Sequence, residues 1–281
     1  MDNTKESCYT EDVDMNAPLS LADDYVFCRV MQDKRACIET LELILDTKIR
    51  DIKYTQRQKI FDSSFDGKGI RVDVYLDDGK DTVYDLEMQT TNSSALPLRS
   101  RYYQSSIDQS LLSAGDDYSL LKHSVIIFIC TFDPFGKGLA KYTFRERADE
   151  ALDVVLNDKT RKIFVNTKAN SGSSRMMRFF DFINKGCADK DDPYILHLQK
   201  CVEDASKDKE WRRDYMLMKT KFRFDLLDAA ESGRKEGCEI GRKDERTQLL
   251  RNFLSNGGTE SDAIKLLNVT QEEIDTVLQK K

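Results

Sequence analysis

Apolar residues between Leu19 and Leu45 recur at helical spacing, Ile38, Leu41 and Leu45 among them, with Ser20 placed to cap the first turn. Asp33 interrupts the run and divides it into two helical pieces. The period then shortens to two. Ile60-Phe61 to Phe65 reads as one strand, and Gly69–Leu76 and Thr82–Gln89 as two more, flanking Asp77-Asp78-Gly79-Lys80. An Asp-Gly turn between alternating runs predicts a β-hairpin. Thr90 to Ser94 is a polar loop, and Pro97 suits the first turn of a helix reaching about Ser113 and closed by Gly115. Ser124–Phe132 is unbroken apolar sequence rich in β-branched residues, which predicts a strand buried on both faces. Asp133-Pro134-Phe135-Gly136 stops it, and Arg161–Thr167 reads as a further short strand. The order is helix, three strands, helix, strand: an α/β fold.

Beyond this the pattern turns helical. Met176–Asn184 is amphipathic, and Pro193–Arg223 carries mixed-charge helical segments in which Trp211, the single tryptophan, is expected to pack. Gly233, Gly237 and Gly241 repeat every fourth residue, on one face of any helix through them. That face suits either a semi-flexible charged connector or a close-packed dimerising helix. Residues 244–281 predict three short helices. Leu249, Leu250, Phe253 and Leu254 mark the first, which ends at Asn256-Gly257-Gly258. Thr259 caps the second, and Thr270 with Glu273 forms a capping box for the third. The unit is similar to a helix-turn-helix, but Glu272, Glu273 and Asp275 stand where phosphate contacts are needed. Docking or self-association suits it better than reading DNA.

Composition narrows the class. No apolar run of membrane-spanning length occurs in the 281 residues, so no membrane partner is expected. There is no export signal, and seven cysteines include no close pair, which points to a reducing, cytoplasmic setting without disulfides or a Cys-x-x-Cys zinc site. The net charge of −6 equals the acidic excess of residues 1–24, so the remainder is neutral, with a basic stretch from Lys137 to Arg178. A nucleic-acid enzyme needs a basic face rather than a basic whole.

The hairpin carries the candidate chemistry. Glu87 and Gln89 are two residues apart and project to one side, with Val83 and Asp85; Asp73 shares a face with Tyr75 on the partner strand. Pairing of the strands brings Asp73 beside Glu87. Two carboxylates with a neutral polar group suit Mg²⁺ or Mn²⁺, although acids on a hairpin also serve simply as its solvated face. Arg99 and Arg101 head the following helix, placed for phosphate contact or for surface ion pairs. His123 and His197 lack a Ser or Cys partner in a recognisable motif, which gives a nucleophile–histidine mechanism no support.

The Asp73…Glu87-x-Gln89 hairpin resembles the hallmark of the PD-(D/E)XK nuclease superfamily. Asp23-Asp24-Tyr25-Val26-Phe27, Arg99-Ser100-Arg101-Tyr102-Tyr103, Gly115-Asp116-Asp117-Tyr118 and Val125–Phe135 extend the resemblance, in order, to its recombination-promoting nuclease and transposase-like family. The resemblance implies a restriction-endonuclease-like αβββαβ core, a mixed sheet flanked by helices, over residues 17–185. An acidic leader (1–16) precedes it, and a helical extension (186–243) and the C-terminal module (244–281) follow. It implies a Mg²⁺- or Mn²⁺-dependent DNA endonuclease acting in recombination or on mobile elements. Asp73 and Glu87 match the metal-binding pair, with the Met88 backbone carbonyl as a further ligand, and Asp24 matches an acidic position of the first helix. Gln89 stands where the superfamily has lysine, orienting water without supplying charge. The alternatives are a weak or inactive nuclease fold that binds DNA or protein, and an interaction protein working through its helical tail. Self-association through the C-terminal helices is expected.

Overall fold

The computed structural model describes residues 18–57, 60–61 and 70–279. The leader expected over 1–16, Phe65 and Gly69 lie outside the described residues.

Two helices open the fold, α1 (Asp24–Val30) and α2 (Lys34–Leu45). Asp33 does divide them, because its carboxylate accepts from the Ala36 amide and starts α2. The cap of α1 is Asp23 rather than Ser20: its Oδ1 accepts from the Tyr25 and Val26 amides. The strands follow: β1 (Lys53–Arg57), β2 (Ile60–Phe61), β3 (Ile70–Arg71), β4 (Val74–Asp77) and β5 (Thr82–Gln89). Helix α3 (Leu96–Leu111), with Pro97 in its first turn, leads into β6 (His123–Cys130). Three strands that the pattern did not predict come next, β7 (Lys141–Phe144), β8 (Arg147–Ala148) and β9 (Ala151–Val155), and then β10 (Thr160–Asn166).

The main sheet has the order β1-β4-β5-β6-β10-β7. Its β1-β4-β5 side is antiparallel, β6 runs parallel to both β5 and β10, and β7 closes the far edge antiparallel. The parallel β5–α3–β6 crossover requires the helix to cross a face of the sheet. This is the expected mixed αβββαβ core, with one exchange. The outer antiparallel strand is β1, whereas Ile60–Phe61 pairs with Ile70–Arg71 in a separate two-stranded ladder. The long first hairpin strand is also broken at Val72-Asp73 before β4 begins. The break turns Val72 to the side of Tyr75, whereas unbroken alternation places it with Val74 and Leu76.

Each face of the sheet has its own core. Leu76, Leu86, Met88, Ile127 and Val165 pack with Phe27, Leu41, Phe179 and Leu198. These come from α1, α2, α4 (Ser174–Lys185) and α5 (Pro193–Lys207). On the other face Tyr75, Val83, Ile126, Phe128 and Phe164 pack with Leu96, Tyr103 and Ile107 of α3. β6 is buried from Ser124 to Cys130, as its apolar run requires.

Helix α6 (Lys209–Ser255) runs without interruption through Gly233, Gly237 and Gly241, and through the boundary expected after residue 243. Continuous α-helix follows from the many good helix formers between the glycines, each of which costs up to ~1 kcal/mol. One compact unit ends at Tyr215 and the other takes up the chain from Met216. In the first, Trp211 stacks on Tyr25 and Tyr215. In the second, Leu250, Ala263, Val269, Ile274 and Val277 form a small core between the end of α6, α7 (Glu260–Leu267) and α8 (Gln271–Gln279). The capping box is present: the Thr270 amide donates to Glu273 Oε2 at 2.7 Å, and the Glu273 amide to Thr270 Oγ1 at 3.3 Å.

Candidate active site

The turn after β4 holds Gly79 at φ 72°, and Asp78 Oδ1 accepts from the amides of Lys80, Asp81 and Thr82. That turn sets the register Val74↔Leu86 and Tyr75↔Asp85, which carries Asp73 to the level of Glu87. The two acids reciprocate across the strands. The Asp73 amide donates to Glu87 Oε1 at 2.8 Å, and the Met88 amide donates to Asp73 Oδ2 at 3.2 Å. Carboxylates thus continue the pairing where the backbone ladder ends.

Asp85, Glu87 and Gln89 alternate along β5 onto the α3 face. Asp85 is fully buried and Glu87 is 3% exposed. Neither Asp85 oxygen has a donor among the described residues. Burial, then the negative charge of Asp73, pushes the Asp85 carboxyl well above the carboxylate range, against the pull of Arg99. Glu87 is raised well above its range by burial, then by Asp85 and Asp73, with the Asp73 amide and Arg99 opposing.

Arg99 answers this charge from the first turns of α3. Its guanidinium donates to Glu87 Oε2 at 3.1 Å, Gln89 Oε1 at 2.7 Å and the Tyr103 hydroxyl at 3.0 Å. It also lies 5.2 Å from the Tyr103 ring centroid and 5.4 Å from that of Phe128. Burial pushes the Tyr103 phenol up to about 12, so it remains an O–H group. Gln89 spends its Nε2 on the Thr91 carbonyl at 2.9 Å.

Of the residues selected from sequence, the structure brings Asp73, Glu87, Gln89 and Arg99 together. At Met88 it shows the amide bound to Asp73, with the side chain in the opposite core. Arg101 stands exposed on α3. The Asp24 carboxylate accepts from the Tyr25 amide at 2.9 Å in the first turn of α1. The arrangement adds Asp85 and Tyr103, which sequence reasoning did not select. The period-two run Asp85-x-Glu87-x-Gln89 was the available signal for the first; Arg99-x-x-x-Tyr103, one helical turn, was the signal for the second.

The family model for PD-(D/E)XK nuclease family transposase matches residues 21–232. The chain belongs to this family. No curated protein and no solved structure matches the chain. PD-(D/E)XK nucleases are generally dependent on a divalent metal. The residues here fit one. Asp73, Asp85 and Glu87 offer only oxygen, the donor preferred by hard cations, and the buried Asp85 oxygens have no donor among the described residues. Among the described residues no helix is long and apolar enough to cross a membrane.

Proposed function

We propose that this PD-(D/E)XK protein is a metal-dependent DNA endonuclease that hydrolyses phosphodiester bonds at the Asp73–Glu87 centre. One observation carries the reading. Three acids crowd one face of the sheet, two of them buried and held toward their neutral forms by burial and by neighbouring negative charge, with the Arg99 guanidinium opposing. A fold retains such a cost where a cation is to be bound.

Asp73 and Glu87 are the side-chain ligands, the Met88 carbonyl a further one, and Mg²⁺ or Mn²⁺ the ion. When bound, the ion neutralises the acids, polarises a phosphoryl oxygen and lowers the pKa of water. Asp85, behind Glu87 on the same face, adds negative charge that strengthens cation binding. Arg99 exchanges part of its contact with Glu87 and Gln89 for the phosphate, to which its planar fork is matched. Release by Arg99 leaves the Gln89 amide oxygen to accept from the attacking water and orient it. Tyr103 and Phe128 keep the guanidinium over the site during that exchange. Exposed Arg101 is placed for a neighbouring phosphate.

Supercoiled plasmid incubated with Mg²⁺, Mn²⁺, Ca²⁺ or EDTA is the test. Nicking or linearisation with Mg²⁺ or Mn²⁺, and none with EDTA, is expected; cleavage indifferent to EDTA removes the proposal. A second reading, an inactive nuclease fold that binds DNA or protein, is favoured by the occupied state of Gln89, whose amide oxygen and nitrogen are both engaged. Metal binding without cleavage is its signature. A role in recombination or mobile-element upkeep belongs to the first reading.

A further inference from the structure

Across the sheet from these acids, the helical layer contains a different set of donors. His197 and Cys201 lie one turn apart on α5, so both project from the same side of that helix. Asp33 reaches them from the start of α2. His197 Nε2 stands 2.7 Å from Asp33 Oδ1 and 3.7 Å from Cys201 Sγ. The three ligand atoms all lie within 4.8 Å of one another. The histidine, given no partner by sequence motif, has two in the fold.

We propose that Asp33, His197 and Cys201 form a second metal site, selective for Zn²⁺. One ring nitrogen faces both an oxygen and a sulfur, and its single proton serves only one of them; a cation serves all three. Ligand bonds of ~2.0–2.3 Å at tetrahedral angles put neighbouring donor atoms ~3.3–3.6 Å apart. The nitrogen–sulfur separation is already close to that. The carboxylate needs to withdraw by only about half an ångström or to turn, while Asp33 keeps its hydrogen bond to the Ala36 amide. Mixed N, S and O donors select zinc and disfavour magnesium, the reverse of the all-oxygen centre on the other face. All three residues are half-buried, so solvent reaches a fourth ligand position.

The surroundings do not repel a cation on balance. Asp204 acts on Cys201 with negative charge, Lys200 and Arg35 with positive. Arg35 is itself paired with Glu39 at 2.7 Å. Nor does the trio suit a cysteine nucleophile, because burial pushes the Cys201 thiol up to about 11. A metal displaces that proton and ties α5 to the start of α2, so binding stabilises the layer that supports the sheet.

The test uses the full chain, stripped with chelator and titrated with Co²⁺ and then Zn²⁺. Visible absorption of tetrahedral Co²⁺ with a near-ultraviolet thiolate band is expected, lost on adding Zn²⁺. Cys201→Ser removes the thiolate band, and His197→Ala weakens binding by more than ~100-fold, beyond the usual effect of a supporting residue. Asp73→Ala and Glu87→Ala leave both signals intact, which keeps this result independent of the nuclease reading. On the wild-type chain, Zn²⁺ slows alkylation of Cys201, located by peptide mass, by at least ~10-fold. Absence of a thiolate band in the wild type, its survival in Cys201→Ser, or unchanged alkylation of Cys201 overturns the site.

Discussion

Asp85→Asn isolates the electrostatic tension on which the candidate centre is built. Asp85 is fully buried, its two oxygens have no donor among the described residues, and burial, then the charge of Asp73, raises its carboxyl. An ordinary carboxyl ionises near 4 in the unfolded chain. In the fold, Asp85 and Glu87 hold their proton to higher pH, so above that value the unfolded state binds fewer protons. Stability contributed by the protonated pair is therefore full below the unfolded values and falls as pH rises toward the folded ones. An amide at position 85 is nearly isosteric, carries no charge, and donates to Glu87. Relieving one unsatisfied buried polar group is worth ~1–3 kcal/mol, so at pH 8 in EDTA the variant is more stable by about that amount. Near pH 4, where wild-type Asp85 is protonated, the difference shrinks toward zero. Urea unfolding from pH 4 to 9 in EDTA, followed by circular dichroism, reads this directly. Mg²⁺ flattens the wild-type slope, because a cation favours the ionised acids. Identical pH slopes in the two proteins, or a variant less stable at pH 8, refute the assignment of Asp85 as a strained acid.

Three further outcomes follow from individual contacts. Arg99→Met removes the cation from Glu87, Gln89 and Tyr103 together, and cleavage slows by ~10²-fold or more as a charge-stabilising donor is lost; Mg²⁺ affinity measured by calorimetry holds or rises, and a fall contradicts the role given to Arg99. Gln89→Ala slows cleavage by ~10²-fold with metal affinity preserved, since the amide orients water and binds no ion; loss of metal binding makes Gln89 a ligand instead. An added Cβ at Gly237 meets nothing within 4 Å in the single chain, so Gly237→Ala strengthens α6 by up to ~1 kcal/mol. If the glycine face packs against a second copy, light scattering shows the same variant shifted toward monomer; an unchanged mass removes that contact.

Much of the core was readable because its signals are local. The hairpin follows from period-two alternation around a turn whose Gly79 adopts a left-handed conformation, and β6 from an apolar run covered on both faces. The Thr270–Glu273 box announces α8 in four residues. What escaped depends on distant partners. β1, Lys-Tyr-Thr-Gln-Arg, has no apolar face, and it is a strand because β4 offers an open edge. β9 likewise exposes Leu152 and Val154, and among the described residues it pairs with β8 alone. At the site, Asp73, Glu87, Gln89 and Arg99 were legible as residues. Their wiring was not, because Arg99 reaches Glu87 only through the β5–α3 crossover. Asp85 was overlooked because alternation places it among buried residues without revealing that it lacks a donor. His197 and Cys201 meet Asp33 only through the packing of α5 on α2.

Single-turnover cleavage of supercoiled plasmid by wild-type, Asp73→Ala and Glu87→Ala proteins, each in Mg²⁺ and in EDTA, tests the central claim most directly. The account predicts cleavage by the wild type in Mg²⁺ alone, and none by either variant although both remain folded by circular dichroism. Wild-type cleavage that persists in EDTA, or undiminished cleavage by either variant, contradicts it.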